Sequence, residues 1–262
     1  EGPLANFFNS VIKCINDACG TVRPGRRWTA DSSTCPLKGG NVVRKPDMSC
    51  WLAPGSEFDW RHLTTFAKVK NHGGKANEKS SYIEMAGKAS CLLYTQDGCH
   101  AATCFHILGS SIHLTIFDRS GSLSTCSYDI NSKLHDFVCI LISITSTPHE
   151  ILSFDTLIAW KWQQCSGKTV GVKALNVQAG NTELAIKLDR VLFISDNLFS
   201  RGTMVWVGMI RDMQTRTREP VVVKDSWIDP LWKYTEGRIL SILNAHKIKG
   251  IPTLIHELSV CP

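Results

Sequence analysis

No run of apolar residues in this 262-residue chain approaches the roughly 18 that a membrane-crossing helix needs. Residues 1–20 lack the basic start and apolar middle of a secretory signal. Close cysteine pairs are missing as well. The 11 cysteines are odd in number and scattered, which fits reduced thiols better than a disulfide framework. The densest cysteine and histidine stretch, Cys99-His100-Ala101-Ala102-Thr103-Cys104-Phe105-His106, has no tight CxxC and no second ligand pair, so no metal is assigned to it. Neither charge sign dominates: 29 Lys and Arg stand against 23 Asp and Glu, a net charge of +6 with a pI near 8.8. That excess permits contact with phosphates without requiring it. These absences leave a soluble intracellular protein, of cytosol or nucleus, as the expectation. The start at Glu1 without a methionine, and the end at Cys261-Pro262 just after a strand-like run, are expected of a piece cut from a longer protein.

Hydrophobic residues make up 43% and charged residues 20% of the chain, enough to build the cores of one large or two ordinary domains. The pattern is α+β. Ala5, Phe7, Phe8, Val11, Ile12 and Ile15 recur at helical spacing and Gly20 offers a stop. Residues 20–41 are rich in Gly, Pro, Ser and Thr and carry Arg23, Arg26 and Arg27, an irregular basic connection. Strand patterns follow at 44–52, 63–70, 100–108 and 111–117, with helical patterns at 81–95 and 135–144. A boundary is placed at 165/166, dividing an α/β domain, 1–165, from a sheet-rich segment, 166–262.

Two neighbouring strand patterns in the first domain carry Asp47 on one and Lys68 and Lys70 on the other. This layout resembles the core of PD-(D/E)xK nucleases, in which acidic residues bind a divalent metal and the lysine steadies the attacked phosphate or the water. The departure outweighs the likeness. Lys68 stands where the second acid is required, and an ammonium there repels a metal ion. The expectation is therefore a nuclease-like shell with a degenerate site, Asp47, Lys68 and Lys70, without metal. Glu84 on the following helix is the nearby carboxylate that could replace the missing one, and a simple Pro46-Asp47 turn is the competing reading.

In the second segment the stretch Val221-Val222-Val223-Lys224 reads as a buried strand ending in a lysine. Burying such a strand is costly unless an anion meets the ammonium. Two candidates present themselves: Glu236, in a helical pattern over 231–246, and the phosphates of a nucleotide. Strand patterns at 184–195 and 206–210, the turn Ser200-Arg201-Gly202-Thr203, and a further strand from Gly250 to Ile255 complete a small antiparallel sheet with one helix.

Several separated motifs, Phe199-Ser200-Arg201-Gly202-Thr203 with Val205-Trp206, Val221 to Trp227, Glu236 and Gly250-Ile251-Pro252, resemble the fungal-type protein kinases of basidiomycete fungi. Arg44-Lys45-Pro46-Asp47, Phe117-Asp118-Arg119-Ser120-Gly121 and Phe154-Asp155-Thr156 resemble the segment that precedes the kinase domain in that family. The resemblance implies ATP- and Mg²⁺-dependent phosphoryl transfer to a protein Ser or Thr, with a protein as substrate or partner. It assigns Lys224 to the nucleotide phosphates, Glu236 as its partner, and Gly202 to close backbone approach. Kinase chemistry also needs a catalytic-loop aspartate and a metal-holding aspartate, and no aspartate follows Glu236. The expectation is a partial kinase small lobe, from a truncated or pseudoenzyme-like chain that is inactive alone. The alternatives are a metal-dependent nuclease, and a non-catalytic module that binds protein or nucleic acid through Arg23 to Arg27 and its tryptophans.

Overall fold

The computed structural model describes residues 1–20, 25–51, 58–148, 151–165, 168–179, 182–211 and 218–259. The chain divides into two compact units, Glu1–Asp155 with Asp196–Ser200, and Thr156–Ser195 with Arg201–Pro262.

The first unit contains α1 (Gly2–Cys19), β1 (Arg27–Thr29), β2 (Met48–Trp51), β3 (Leu63–Lys70), α2 (Lys75–Thr95), β4 (Ala102–Leu108), β5 (Ser111–Phe117), β6 (Ser122–Ser124), β7 (Tyr128–Asp129) and α3 (Leu134–Ser146). Its sheet runs β1-β2-β3-β4-β5-β6, with β7 also on β5. Every pairing is antiparallel except β3 with β4. That parallel pair needs a crossover, and α2 supplies it. Alternation along β3 sends Phe66 to the α2 side, where it joins Met85, Ala89, Leu92, Cys104 and Phe117. Ala67 goes to the other side, with Phe8, Ile12, Phe105, Phe137 and Leu141 of α1, β4 and α3. Each large apolar side chain so enclosed contributes about 1.5–3 kcal/mol of transfer free energy.

Polar groups fasten the irregular parts. Arg26, only 5% exposed, donates through Nη1 to the carbonyls of Ile144 and Thr147, which satisfies acceptors at the end of α3. It is thus a structural residue and not an exposed cation for nucleic acid; Arg23 lies outside the described residues. Trp28, Trp51, Trp60 and Trp206 are buried, so these four tryptophans pack the cores and present no stacking platform.

The second unit contains β8 (Ile158–Cys165), β9 (Lys168–Ala179), β10 (Thr182–Ile194), β11 (Met204–Arg211), β12 (Arg218–Asp225) and α4 (Glu236–Ala245). The strands form an antiparallel meander, β12-β11-β10-β9-β8. Among the described residues its core cluster is Leu188, Met204 and Trp206, lined by Leu175, Ile186, Ile194 and Val223. The expected boundary at 165/166 falls at the end of β8.

Three expectations need correction here. Of the three valines in β12 only Val221 is buried, and Val222 is 67% exposed, because β12 is the edge strand and one face of it meets solvent. The helix begins at Glu236, not near 231, and Leu231 is 88% exposed. Pro230 follows Asp229, whose carboxylate accepts from the Leu231 N–H at 2.8 Å; this Asx turn takes the backbone that a longer helix would need. Residues 250–255 form no strand. They run back beside α4, where Asn244 Nδ2 donates to Pro252 O and Asn244 Oδ1 accepts from the Leu254 N–H.

Candidate functional site

In the second unit β12 carries Lys224 and α4 begins with Glu236. The Lys224 ammonium donates to Glu236 Oε2. The helix start that presents the glutamate is built from both sides. The Thr235 hydroxyl caps it by accepting from the Arg238 N–H at 3.1 Å, and the Glu257 carboxylate accepts from the Gly237 N–H at 3.0 Å. Both partners of the ion pair face solvent, with side chains 36% and 50% exposed. An exposed pair stabilises a fold by only about 0–1 kcal/mol, so its position is not explained by stability.

Gly202 has φ of +52°, a left-handed conformation that favours glycine. It lies at the end of the β11–β12 ladder. Val205 pairs with Lys224, Met204 with Asp225, and the Trp227 N–H continues the pairing to Arg201 O at 2.8 Å. The connection from β10 to β11 is longer than the turn Ser200-Arg201-Gly202-Thr203 read from the sequence, because Asp196–Ser200 are part of the first unit. There Leu198 packs on the core, and Arg119, 7% exposed, donates to Asn197 O at 2.8 Å and Leu93 O at 2.9 Å. The Ser200 N–H donates to Arg119 O. Asp118 closes its own turn by accepting from the Ser120 and Gly121 N–H groups. Asp118-Arg119 is therefore a structural knot that joins two of the motifs found in the sequence.

The first unit gathers a second cluster. Asp47, just before β2, accepts from the Val69 N–H at 2.9 Å and lies 3.1 Å from Lys68 Nζ. Lys68 also reaches Glu84 on α2 at 2.7 Å, and Lys70 reaches the same carboxylate at 3.4 Å. Burial alone would lower the Lys68 ammonium, but the hydrogen bonds and charges of Glu84 and Asp47 outweigh it and hold its pKa above the ordinary lysine range. Burial likewise would raise the Glu84 carboxyl, and its bond to Lys68, with the charges of Lys68, Lys70 and Lys88, holds it below the usual range. Two carboxylates already neutralised in this way leave little attraction for a divalent cation. Among the described residues no group of three or more His, Cys, Asp and Glu side chains is placed to hold a metal ion.

Lys88 completes this cluster and was not singled out from the sequence. It is 3% exposed, with carboxylate oxygens of Asp47 and Glu84 at 3.8 and 4.0 Å. Burial pushes its pKa down, and Lys68 adds to the effect against the two carboxylates. A signal existed: Lys88 falls on the stripe Ser81, Met85, Lys88, Leu92, all buried, and four residues after Glu84, the spacing at which side chains on a helix meet.

A strand lysine paired with a helix glutamate beside an antiparallel sheet is compatible with a kinase-like fold. The chain belongs to the fungal protein kinase family, whose model matches residues 45–261. Both clusters fall inside that match. No curated protein and no solved structure matches the chain. Kinases of this kind use ATP and Mg²⁺ and act on proteins. No helix among the described residues is long and apolar enough to cross a membrane.

Proposed function

We propose that the second unit binds the phosphates of an adenine nucleotide, with Lys224 as the phosphate contact, Glu236 orienting it, and Gly202 allowing close backbone approach. The observation that carries this reading is the Lys224–Glu236 ion pair. A strand lysine held by a helix glutamate keeps its ammonium aimed while leaving donors for phosphate oxygens. The exposure of the pair supports it too, since a ligand can reach the ammonium without opening the sheet.

The residues fit a nucleotide phosphate and do not fit Mg²⁺. In a kinase the metal draws charge from the phosphates during transfer, and aspartates hold it. No aspartate follows Glu236 in these residues. This chain's own groups therefore bind and orient, and we infer that they do not by themselves transfer a phosphoryl group to a protein hydroxyl.

The test is a thermal-shift titration with ATP, with and without Mg²⁺, on the chain and on Lys224→Met. A ligand that binds only the folded state stabilises it by about 2.7 kcal/mol at a hundredfold excess over Kd. The expected outcome is a saturating rise in Tm that is absent in Lys224→Met and does not require Mg²⁺. No shift in either protein, or the same shift in both, overturns the reading.

A further inference from the structure

The α2-facing side of the first sheet holds more polar chemistry than its internal pairs use. Lys68, His106 and His113 are register partners across β3, β4 and β5, so they stand side by side on one face. The two imidazoles meet edge to face with ring centroids 4.5 Å apart. His106 is 6% exposed, and its Nδ1 has no hydrogen-bond partner. Ser81 is fully buried, and its Oγ also lacks one. It lies one turn before Met85 on α2, and Met85 Sδ touches Cys104, two residues before His106 on the same face. Buried polar atoms are normally paired, and these point to a group that the protein alone does not provide.

The ammonium groups say what kind of group it is. An ammonium offers three donors. Lys68 spends its donors on Asp47 and Glu84. Lys88 makes no hydrogen bond among the described residues; its nearest carboxylate oxygens are at 3.8 and 4.0 Å. Lys70 has one long contact, 3.4 Å. The unused capacity is thus donor capacity on cations, which calls for an anion with several oxygens. Side-chain exposure rises from 4% at Lys88 through 12% at Lys68 to 31% at Lys70 and 39% at Glu84, so Lys70 and Glu84 are the solvent-facing side of the cluster and Lys88 its buried side.

We propose that this face of the first unit binds a phosphomonoester dianion, received by the ammonium groups of Lys88 and Lys70 with the His106 and Ser81 side chains beside it. Three ammonium groups against two carboxylates give the cluster one positive charge of its own. The first unit as a whole argues for a small ligand over a polynucleotide. Lys plus Arg and Asp plus Glu both number 15 in its residues, so the entire excess of 29 − 23 = 6 lies in the second unit. A phosphodiester strand is steered and held by a field that this unit lacks. The proposal does not depend on nucleotide binding by Lys224.

The experiment uses the full chain carrying Lys224→Met, so that the other candidate phosphate site is silent, and titrates inorganic phosphate, phenyl phosphate and a single-stranded oligonucleotide at matched ionic strength by calorimetry. Saturable binding of inorganic phosphate and phenyl phosphate is expected, weakened about tenfold or more by the further change Lys88→Met, as loss of a charge-assisted hydrogen bond implies. Lys70→Gln, on the solvent-facing side of the cluster, is expected to weaken it about tenfold without unfolding and decides the matter if Lys88→Met does not fold. Phosphate affinity unchanged by Lys88→Met or by Lys70→Gln overturns the proposal, as does heat that never saturates. Oligonucleotide binding that Lys88→Met abolishes overturns the assignment to a small dianion.

Discussion

Single residues on the α2 face set how the first unit responds to pH. Burial pushes the His106 pKa down to about 4, with the neighbouring His113 adding to it. Its folded value lies below its unfolded one, so between about pH 6.5 and 4 the unfolded chain binds the proton that the folded chain refuses. Stability contributed this way is present above pH 6.5 and is lost as pH falls toward 4. The expected outcome is a fall in Tm across that window that is flatter in His106→Phe, and an NMR titration in which the His106 imidazole titrates near pH 4, well below the ordinary histidine range. Equal slopes in both proteins would refute the assignment. At this scale part of the site was legible. The spacing of Lys224 and Glu236 and the charged ends of β3 announce themselves in one dimension. Lys88 and His106 do not, because their significance lies in burial between a helix and three strands. The argument for Lys224 from a buried strand also fails in its premise, since three neighbouring valines do not reveal which strand is the edge.

Elements were more legible than contacts, and the misses have a common cause. The repeats that gave α1, α3, β3 and β5 are strong because each element buries one face. The helix at 231 and the strand at 250 were misplaced because local side-chain bonds, Asp229 to Leu231 and Asn244 to Leu254, compete with regular structure where little apolar surface is at stake. Gly208 shows what the pattern of a strand conceals. A Cβ there would lie 2.7 Å from Lys187 O and 2.9 Å from the Ile186 side chain, so β10 and β11 approach too closely at that rung for any larger residue. Gly208→Ala is expected to destabilise the second unit by about 1–3 kcal/mol, the cost of forcing volume into a packed site. Denaturant midpoints of the second unit, read by hydrogen exchange of the β11 amides, check it. An unchanged midpoint would mean that the ladder opens there without cost.

At the scale of the whole molecule the two units have unequal means of support. The first encloses two large clusters on either side of its sheet, whereas among the described residues the second has one small cluster, Leu188, Met204 and Trp206, with half-buried neighbours. Hydrophobic burial is the main favourable term in folding, so the second unit is the weaker of the two, and separate cores break two-state behaviour. The sequence boundary at 165/166 lies ten residues past Asp155, where the first unit's main stretch ends. The return of Asp196–Ser200 to the first unit was not legible, because it depends on the Arg119 guanidinium donating to Asn197 O and on Arg119 O accepting from the Ser200 N–H. Calorimetry is therefore expected to give two transitions. Gly208→Ala should lower only the first to melt, while ATP raises that same transition and leaves the other in place. Inorganic phosphate should raise the later transition, through Lys88. A single transition that all three perturbations move together would mean that the units fold as one, and that the two phosphate chemistries argued from their residues are coupled through a shared stability.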